Sequence, residues 1–459
     1  MPISIVMKIH TQNLAGIILI ILLVLVPASC RKSDYEVDHV ESIRDNGAGT
    51  GTITWKKDRE YLLEGLVFVN DGQTLTIEPG TVIRAKTGQG SAASALIVAR
   101  GGTIIADGTA ADPIIFTCEN DDLKGSIQTE AKGLWGGVII LGTARLNNLY
   151  GENHIEGIPL SEPRATYGGI NDDDYSGIFR YVSIRHAGTN IGEGNEINGL
   201  SLGGVGSETI IDHIEVISNA DDGFEFFGGT VNAKYLIASF CGDDAFDYDE
   251  GFSGKGQFWA GILDIQEGSQ LLEANGGSYP ENGRPLSQPL LFNLTLIGSG
   301  PNNDRSQAVY SRNAGGWLAN SILLNQQYGV SIEYKPDLED SYRQFENGNL
   351  QLKSNVFFDV ANNDTSAIFE VYTESLGIDL EEQNARIREH FSTEKNKVED
   401  PGLIYTGGIY KLVSSGYVFE GLAPYPDDWF DQVGYQGAFG TFNWASGWTL
   451  ISQEGILVD

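Results

Sequence analysis

The sequence places carboxylates in a repeated pattern. Asp221-Asp222-Gly223-Phe224-Glu225-Phe226 returns 22 positions later as Asp243-Asp244-Ala245-Phe246-Asp247-Tyr248, with Asp249 and Glu250 just behind. If residues 22 apart are neighbours in space, Asp221 stands on Asp243, Asp222 on Asp244 and Glu225 on Asp247. Carboxylates about 4.8 Å apart repel by roughly 1 kcal/mol in water and by several times that near a protein surface. Two devices offset such repulsion. A Ca2+ ion takes about six to eight oxygen ligands in relaxed geometry, and the expected metal ligands are Asp221, Asp222, Glu225, Asp243, Asp244, Asp247 and Asp249. Alternatively, the Asp side chains accept backbone N–H bonds at chain corners, as Asp does in turns. Neighbouring residues of a strand point to opposite faces, so these acids do not all share one ion.

A cation beside a strong base is the equipment of a Ca2+-dependent polysaccharide lyase, in which the metal neutralises a uronate and the base takes the α-proton. Arg180, Arg185 and Lys234 are the candidate bases, with His186 and His213 behind them. Aligning Val182 with Ile214 puts Arg180 at the register of Asp212, one repeat from the acids. On an acidic chain an Arg also serves as an ordinary ion-pair partner. A glycoside hydrolase built on two of the carboxylates is a further option, decided by their separation in space. The competing class is a binding or structural surface protein whose parallel grooves suit extended glycans. No CxxC pair, HExxH or P-loop occurs.

The acids must be positioned by the repeat around them. Ile214-Glu215-Val216 and Leu236-Ile237-Ala238 share the 22-residue spacing. Upstream, Leu66–Val69, Leu75–Ile77 and Val82–Ile83 are followed by the similar runs Ala95–Val98, Ile104–Ile105 and Ile114–Phe116, after a Gly/Ser/Ala-rich insertion at 86–94. The offsets there read as Val67 to Ile97, Thr76 to Ile105 and Ile83 to Ile115. Gaps this short leave no room for crossover helices, and the runs lack the alternation of a sandwich. The pattern predicts an all-β chain wound as a right-handed parallel β-helix with about 22 residues per three-strand coil, in preference to a sandwich or propeller. Phe224 over Phe246 and Phe226 over Tyr248 are expected to stack. Helix formers with apolar Leu380, Ile387 and Phe391 predict a surface helix near 376–395, and the aromatic, Gly-rich end predicts a C-terminal cap. Cys118 and Cys241 fall at strand ends several coils apart, which reads as two buried free thiols.

Composition fits this picture. The 459 residues include 58 Gly and 2 Met, and the formal charge is −33. Such a charge repels nucleic acid and anionic lipid, so no nucleic-acid partner is expected. At the N-terminus, Lys8 precedes the apolar run Leu14–Val26, and Pro27-Ala28-Ser29-Cys30 follows. The run is too short for a membrane span and reads as a signal peptide over 1–29. Small residues before Cys30 resemble a lipobox, so Cys30 is the expected lipidation site, tying the chain to a membrane. Residues 30–51 read as a flexible tether and 52–459 as a single β-helix domain.

Several motifs together carry a family resemblance: Glu78-Pro79-Gly80-Thr81-Val82-Ile83, Gly108-Thr109-Ala110-Ala111-Asp112-Pro113-Ile114, Trp135-Gly136-Gly137-Val138-Ile139-Ile140-Leu141-Gly142, Ile155-Glu156-Gly157, Asp221 to Gly229, Tyr435 to Phe439 and Trp444 to Thr449. The chain resembles a family of exported β-helix lipoproteins of Bacteroidetes-type bacteria and is similar to an outer-membrane lipoprotein of leptospires. That resemblance implies a pectin-lyase-like fold and an outer-membrane location on either face. It brings a TonB-dependent receptor into view as a partner, and it implies no established activity.

Overall fold

The computed structural model describes residues 40–190, 196–277, 279–413 and 420–459. The signal peptide and Cys30 lie outside the described residues.

Short apolar runs separated by tight corners leave each strand only one place to satisfy its backbone groups, the equivalent strand of the next coil. The result is a right-handed parallel β-helix. Each coil crosses three faces. The first is a ten-stranded parallel sheet that includes Leu66–Val69, Leu200–Gly203, Phe224–Phe227 and Phe246–Asp249. The second and third share a nineteen-stranded sheet. Long strands such as Ile210–Ile217 and Asn232–Ser239 serve both, and Ile210 and Ile214 pair with Asn232 and Leu236. The core runs down the inside, with Val67, Leu96, Ile140, Leu202, Phe226 and Ile214 among its members.

Between second and third faces the chain turns through a residue with positive φ in coil after coil: Tyr181 (48°), His213 (55°), Tyr235 (58°), Phe258 (62°), Asn293 (58°) and Asn320 (53°). This conformation costs a non-glycine residue roughly 1–2 kcal/mol. Stacking offsets it at the bulky positions. His213 lies 4.3 Å from the Tyr181 ring and 4.2 Å from that of Tyr235, which lies 4.9 Å from Phe258.

The 22-residue register holds where it was read, with Phe224 paired to Phe246 and Glu225 to Asp247, and Arg180 pairs with Asp212 as aligned, 32 positions on. In the first coils two offsets are one residue out. Val67 pairs with Leu96 and Ile83 with Phe116, whereas Thr76 does pair with Ile105. A slip of one residue turns the other face of the strand inward, and the core takes Val67 and Leu96 while Phe68 and Ile97 face out together. Phe224 and Phe246 stack at 5.4 Å, but Phe226 stacks on Phe252 and Trp259 instead of on Tyr248.

The ends differ from expectation. The β-helix begins inside the expected tether, because Val40–Ile43 pairs in parallel with Glu60–Leu63. The expected surface helix is present over Glu381–Thr393, and its inner side has a structural task. Its Ile387 and Phe391 are buried, and Phe391 meets Phe369 at 5.2 Å, so it closes the end of the stack. Asn384 Oδ1 accepts the N–H of Val371 in the last strand of the first face. The aromatic tail is a strap along the side rather than an end cap. It runs back from Ser354, which donates to Gly421 O, past Tyr235, which meets Trp444 at 5.4 Å, to Glu215. There the buried carboxylate accepts the N–H groups of Leu450 (2.7 Å) and Ile451 (3.0 Å). Apolar side chains of the third face, including Ile217, Ile237, Ala260 and Ile297, need this cover, and Trp444, Trp448 and Ile451 supply it. Cys118 and Cys241 are free and buried.

Candidate functional site

The repeated acids lie where the chain enters the first face, and the fold separates them into two ladders. The corner ladder is built on backbone donors. Asn198 Oδ1 accepts the N–H of Asp222 (3.2 Å), Asp222 Oδ1 accepts that of Asp244 (2.8 Å), and Asp244 Oδ1 accepts that of Gln270. Each corner oxygen holds the next coil, which is the turn-capping role open to these residues. Asp221 and Asp243 precede these rungs; Asp221 is half-buried and Asp243 exposed. Asp249 ends its strand opposite Phe227.

The strand ladder is Ser201, Glu225, Asp247 and Glu273, side by side on the outer surface of the first face. Backbone N–H groups here are already engaged by neighbouring strands. Glu225 accepts from Asn198 Nδ2. Asp247 Oδ1 is buried without a hydrogen-bond partner. Carboxylate oxygens of Asp222, Glu225 and Asp247 lie within 4.8 Å of one another, as do those of Asp222, Asp243 and Asp244. Among the described residues, no Lys, Arg or His forms an ion pair with any of these five.

A roof folds over part of the first face beside these acids. Residues 142–176 leave the coil and fold back through the antiparallel hairpin of Glu152–His154 with Thr166–Gly168. Its Leu146, Ile155, Ile158, Ala165 and Tyr167 pack on Phe68, Ile97, Ile139 and Leu141. Glu250 anchors the hairpin, accepting from Tyr167 Oη and Asn153 Nδ2, each at 2.6 Å. Glu156 comes down beside Glu225 and accepts from Asn198 Nδ2 at 3.1 Å. Burial, then the charges of neighbouring acids, pushes Asp222, Glu225, Asp244 and Asp247 well above the usual carboxylate range. Burial pushes Asp221 and Glu250 up to about 7.

The candidate bases stand elsewhere. Arg185 is 2% exposed on the third face and donates to Ser183 Oγ beside Glu215. Arg180 and Lys234 belong to the second face, flanking Asp212. Arg180 makes a two-pronged bond to Asp107 at 2.7 and 2.9 Å. Lys234 reaches Asp431 at 3.0 Å and lies 4.7 Å from the centre of the Trp429 ring. His213 is clamped in the aromatic stack and bonded to Asp212, and His186 Nδ1 pairs with Ala131 O at 2.7 Å. The acids and the bases expected to work together are therefore on different faces.

Sequence reasoning missed Asn198, Glu156 and the roof. Asn198-Gly199-Leu200-Ser201-Leu202 has the shape of Asp222-Gly223-Phe224-Glu225-Phe226 at a spacing of 24, and that match was the available signal for Asn198.

A family model described as a pectate-lyase-like beta helix domain matches residues 47–401. Among solved structures the chain is similar to the Dettilon tailspike protein, with 10% identity over 71% of this chain and a TM-score of 0.22. The chain spans 62% of that protein's length. No curated protein matches the sequence.

Proposed function

Because the chain belongs to the family of pectate-lyase-like β-helix domains, we propose that it is a lipid-anchored surface binding protein whose second face holds an extended glycan. One observation carries the reading: the roof covers much of the first face, the tail strap covers much of the third, and the second stays open from the coil of Ile53 to that of Asn232, beyond which residues 423–431 cover it. Two parallel rows run along it. Ile105, Ile178 and Ile210 form an apolar row that continues into Asn232 and Lys255. Beside it Asp107, Arg180, Asp212 and Lys234 form a polar row, which ends where the tail buries Gln257 against Asp431. The half-buried Trp429 closes one end. A linear sugar chain lying along the β-helix would meet apolar surface and hydrogen-bonding groups repeated at roughly 4.8 Å. Attachment through lipid on Cys30 would hold this surface at the outer membrane.

The Ca2+-dependent lyase reading loses its support in the geometry, since its metal ligands lie on the first face while Arg180 and Lys234 are tied to Asp107 and Asp431 on the second. The test is a panel of neutral and uronate polysaccharides, with binding measured by retention on the insoluble or immobilised glycan. The mature protein is expected to retain at least one, and an Arg180→Ala/Lys234→Ala double variant to bind it at least tenfold more weakly. Failure to bind any member, or binding indifferent to the double change, overturns the proposal. So does the release of unsaturated sugars, detected by their absorbance.

A further inference from the structure

The first face carries a separate inference, independent of the glycan reading. We propose that Asp222, Glu225 and Asp247, with Glu156 beside them from the roof, bind one Ca2+ ion that fastens residues 142–176 to the β-helix. The three carboxylates have oxygens within 4.8 Å of one another and are each 8% exposed. An acidic cluster alone proves little, because backbone N–H groups can absorb its charge. At the corner they do so: Asp222 gives one oxygen to Asp244 N, and Asp244 gives one to Gln270 N. On the strand they do not. Asp247 Oδ1 is buried inside the cluster with no hydrogen-bond donor at all. A buried acceptor without a donor is costly, and a cation is the partner that an array of acceptors can share.

The ligand chemistry selects the ion. The set is oxygen-only, with neither His nor Cys in the group, which suits a hard cation. Ca2+ tolerates several carboxylates in irregular geometry, whereas Mg2+ demands a near-ideal octahedron and keeps its waters. The position selects the role. Held by carboxylates only 8% exposed, the ion is shielded from any large substrate, and Glu156 of the roof stands next to Glu225 of the wall. It replaces a repulsion between those two carboxylates with a shared attraction.

The experiment uses the mature full-length chain, stripped with EDTA, dialysed, and titrated with CaCl2 by calorimetry. Saturation at one Ca2+ per chain is expected, with a rise in Tm and at least tenfold slower proteolytic cutting within 142–176. Asp247→Asn and Glu225→Gln should each weaken Ca2+ binding at least tenfold, while the exposed Asp243→Asn leaves it within about twofold. Circular dichroism confirms that each variant retains its β signal, and either of the first two serves if the other does not fold. No Ca2+ uptake by the stripped wild type, or uptake that survives both strand substitutions, overturns the site. Loss of uptake in Asp243→Asn assigns the ion to the corner group and overturns it equally. Uptake that leaves the cutting rate unchanged overturns the fastening role.

Discussion

Asp244 and Asp247 differ by three positions, and both are buried acids repeated from the coil before. Their situations are nevertheless opposite. Asp244, at the corner, holds the N–H of Gln270; Asp247, on the strand, leaves Oδ1 without a donor. The difference comes from what the backbone has left to give. Along a parallel strand each N–H already points sideways into the next coil, so an outward carboxylate finds none free. At a corner the chain leaves the sheet, its N–H groups point along the stack, and an Asx side chain one coil away meets them. The same residue type at the same spacing thus becomes a structural cap in one place and a bare acceptor three residues on.

This contrast can be broken at its strongest point with Glu215, a fully buried acid that holds Leu450 N, Ile451 N and Ser183 Oγ beside Arg185. Glu215→Ala should destabilise the protein by about 3–5 kcal/mol, read by urea unfolding, because it strands a buried guanidinium and frees the tail. Glu250 tests the same idea through pH. Burial lifts it from 4.5 to about 7, so the folded form holds the proton more tightly. Stability of the stripped protein should be full below about pH 4.5 and fall as pH rises toward about 7, by on the order of 2–3 kcal/mol for this group. Glu250→Gln should flatten that slope in a Tm-against-pH series. Asn198→Ala removes the acceptor for Asp222 N and should cost about 1–3 kcal/mol by the same urea assay. The smallest effect sharpens the contrast most. Without Ca2+, Asp247→Asn should raise stability by about 1 kcal/mol, seen as a higher Tm, since it deletes an uncompensated charge; a fall would mean that Asp247 is engaged after all.

The repetition itself was legible because a parallel stack writes its register directly into residue spacing. Ile214 to Leu236 and Glu225 to Asp247 were readable for that reason, as was the corner role open to Asp222 and Asp244. Insertions hide the register: with loops of unknown length between runs, Val67 could be matched to Ile97 as well as to its true partner Leu96. Contacts outside the repeat left no periodic trace. Nothing in spacing ties Tyr167 to Glu250 or Glu215 to Leu450, because the roof and the strap attach by side-chain chemistry between distant segments. The lyase bases failed for a related reason. Register says which residues share a row, and Arg180 with Asp212 was right, but it does not say which of three faces the row belongs to.

The strap has a consequence for how the polypeptide is made. Glu215 waits for partners 235 and 236 residues downstream, and the isoleucines around it stay bare until Trp444 and Trp448 arrive. A nascent chain halted before residue 444 would carry a long greasy stripe beside otherwise finished coils. That is the surface on which aggregation and proteolysis act. By laying its last residues over some of its earlier ones, the fold makes synthesis of the C-terminal segment a condition of burying that stripe.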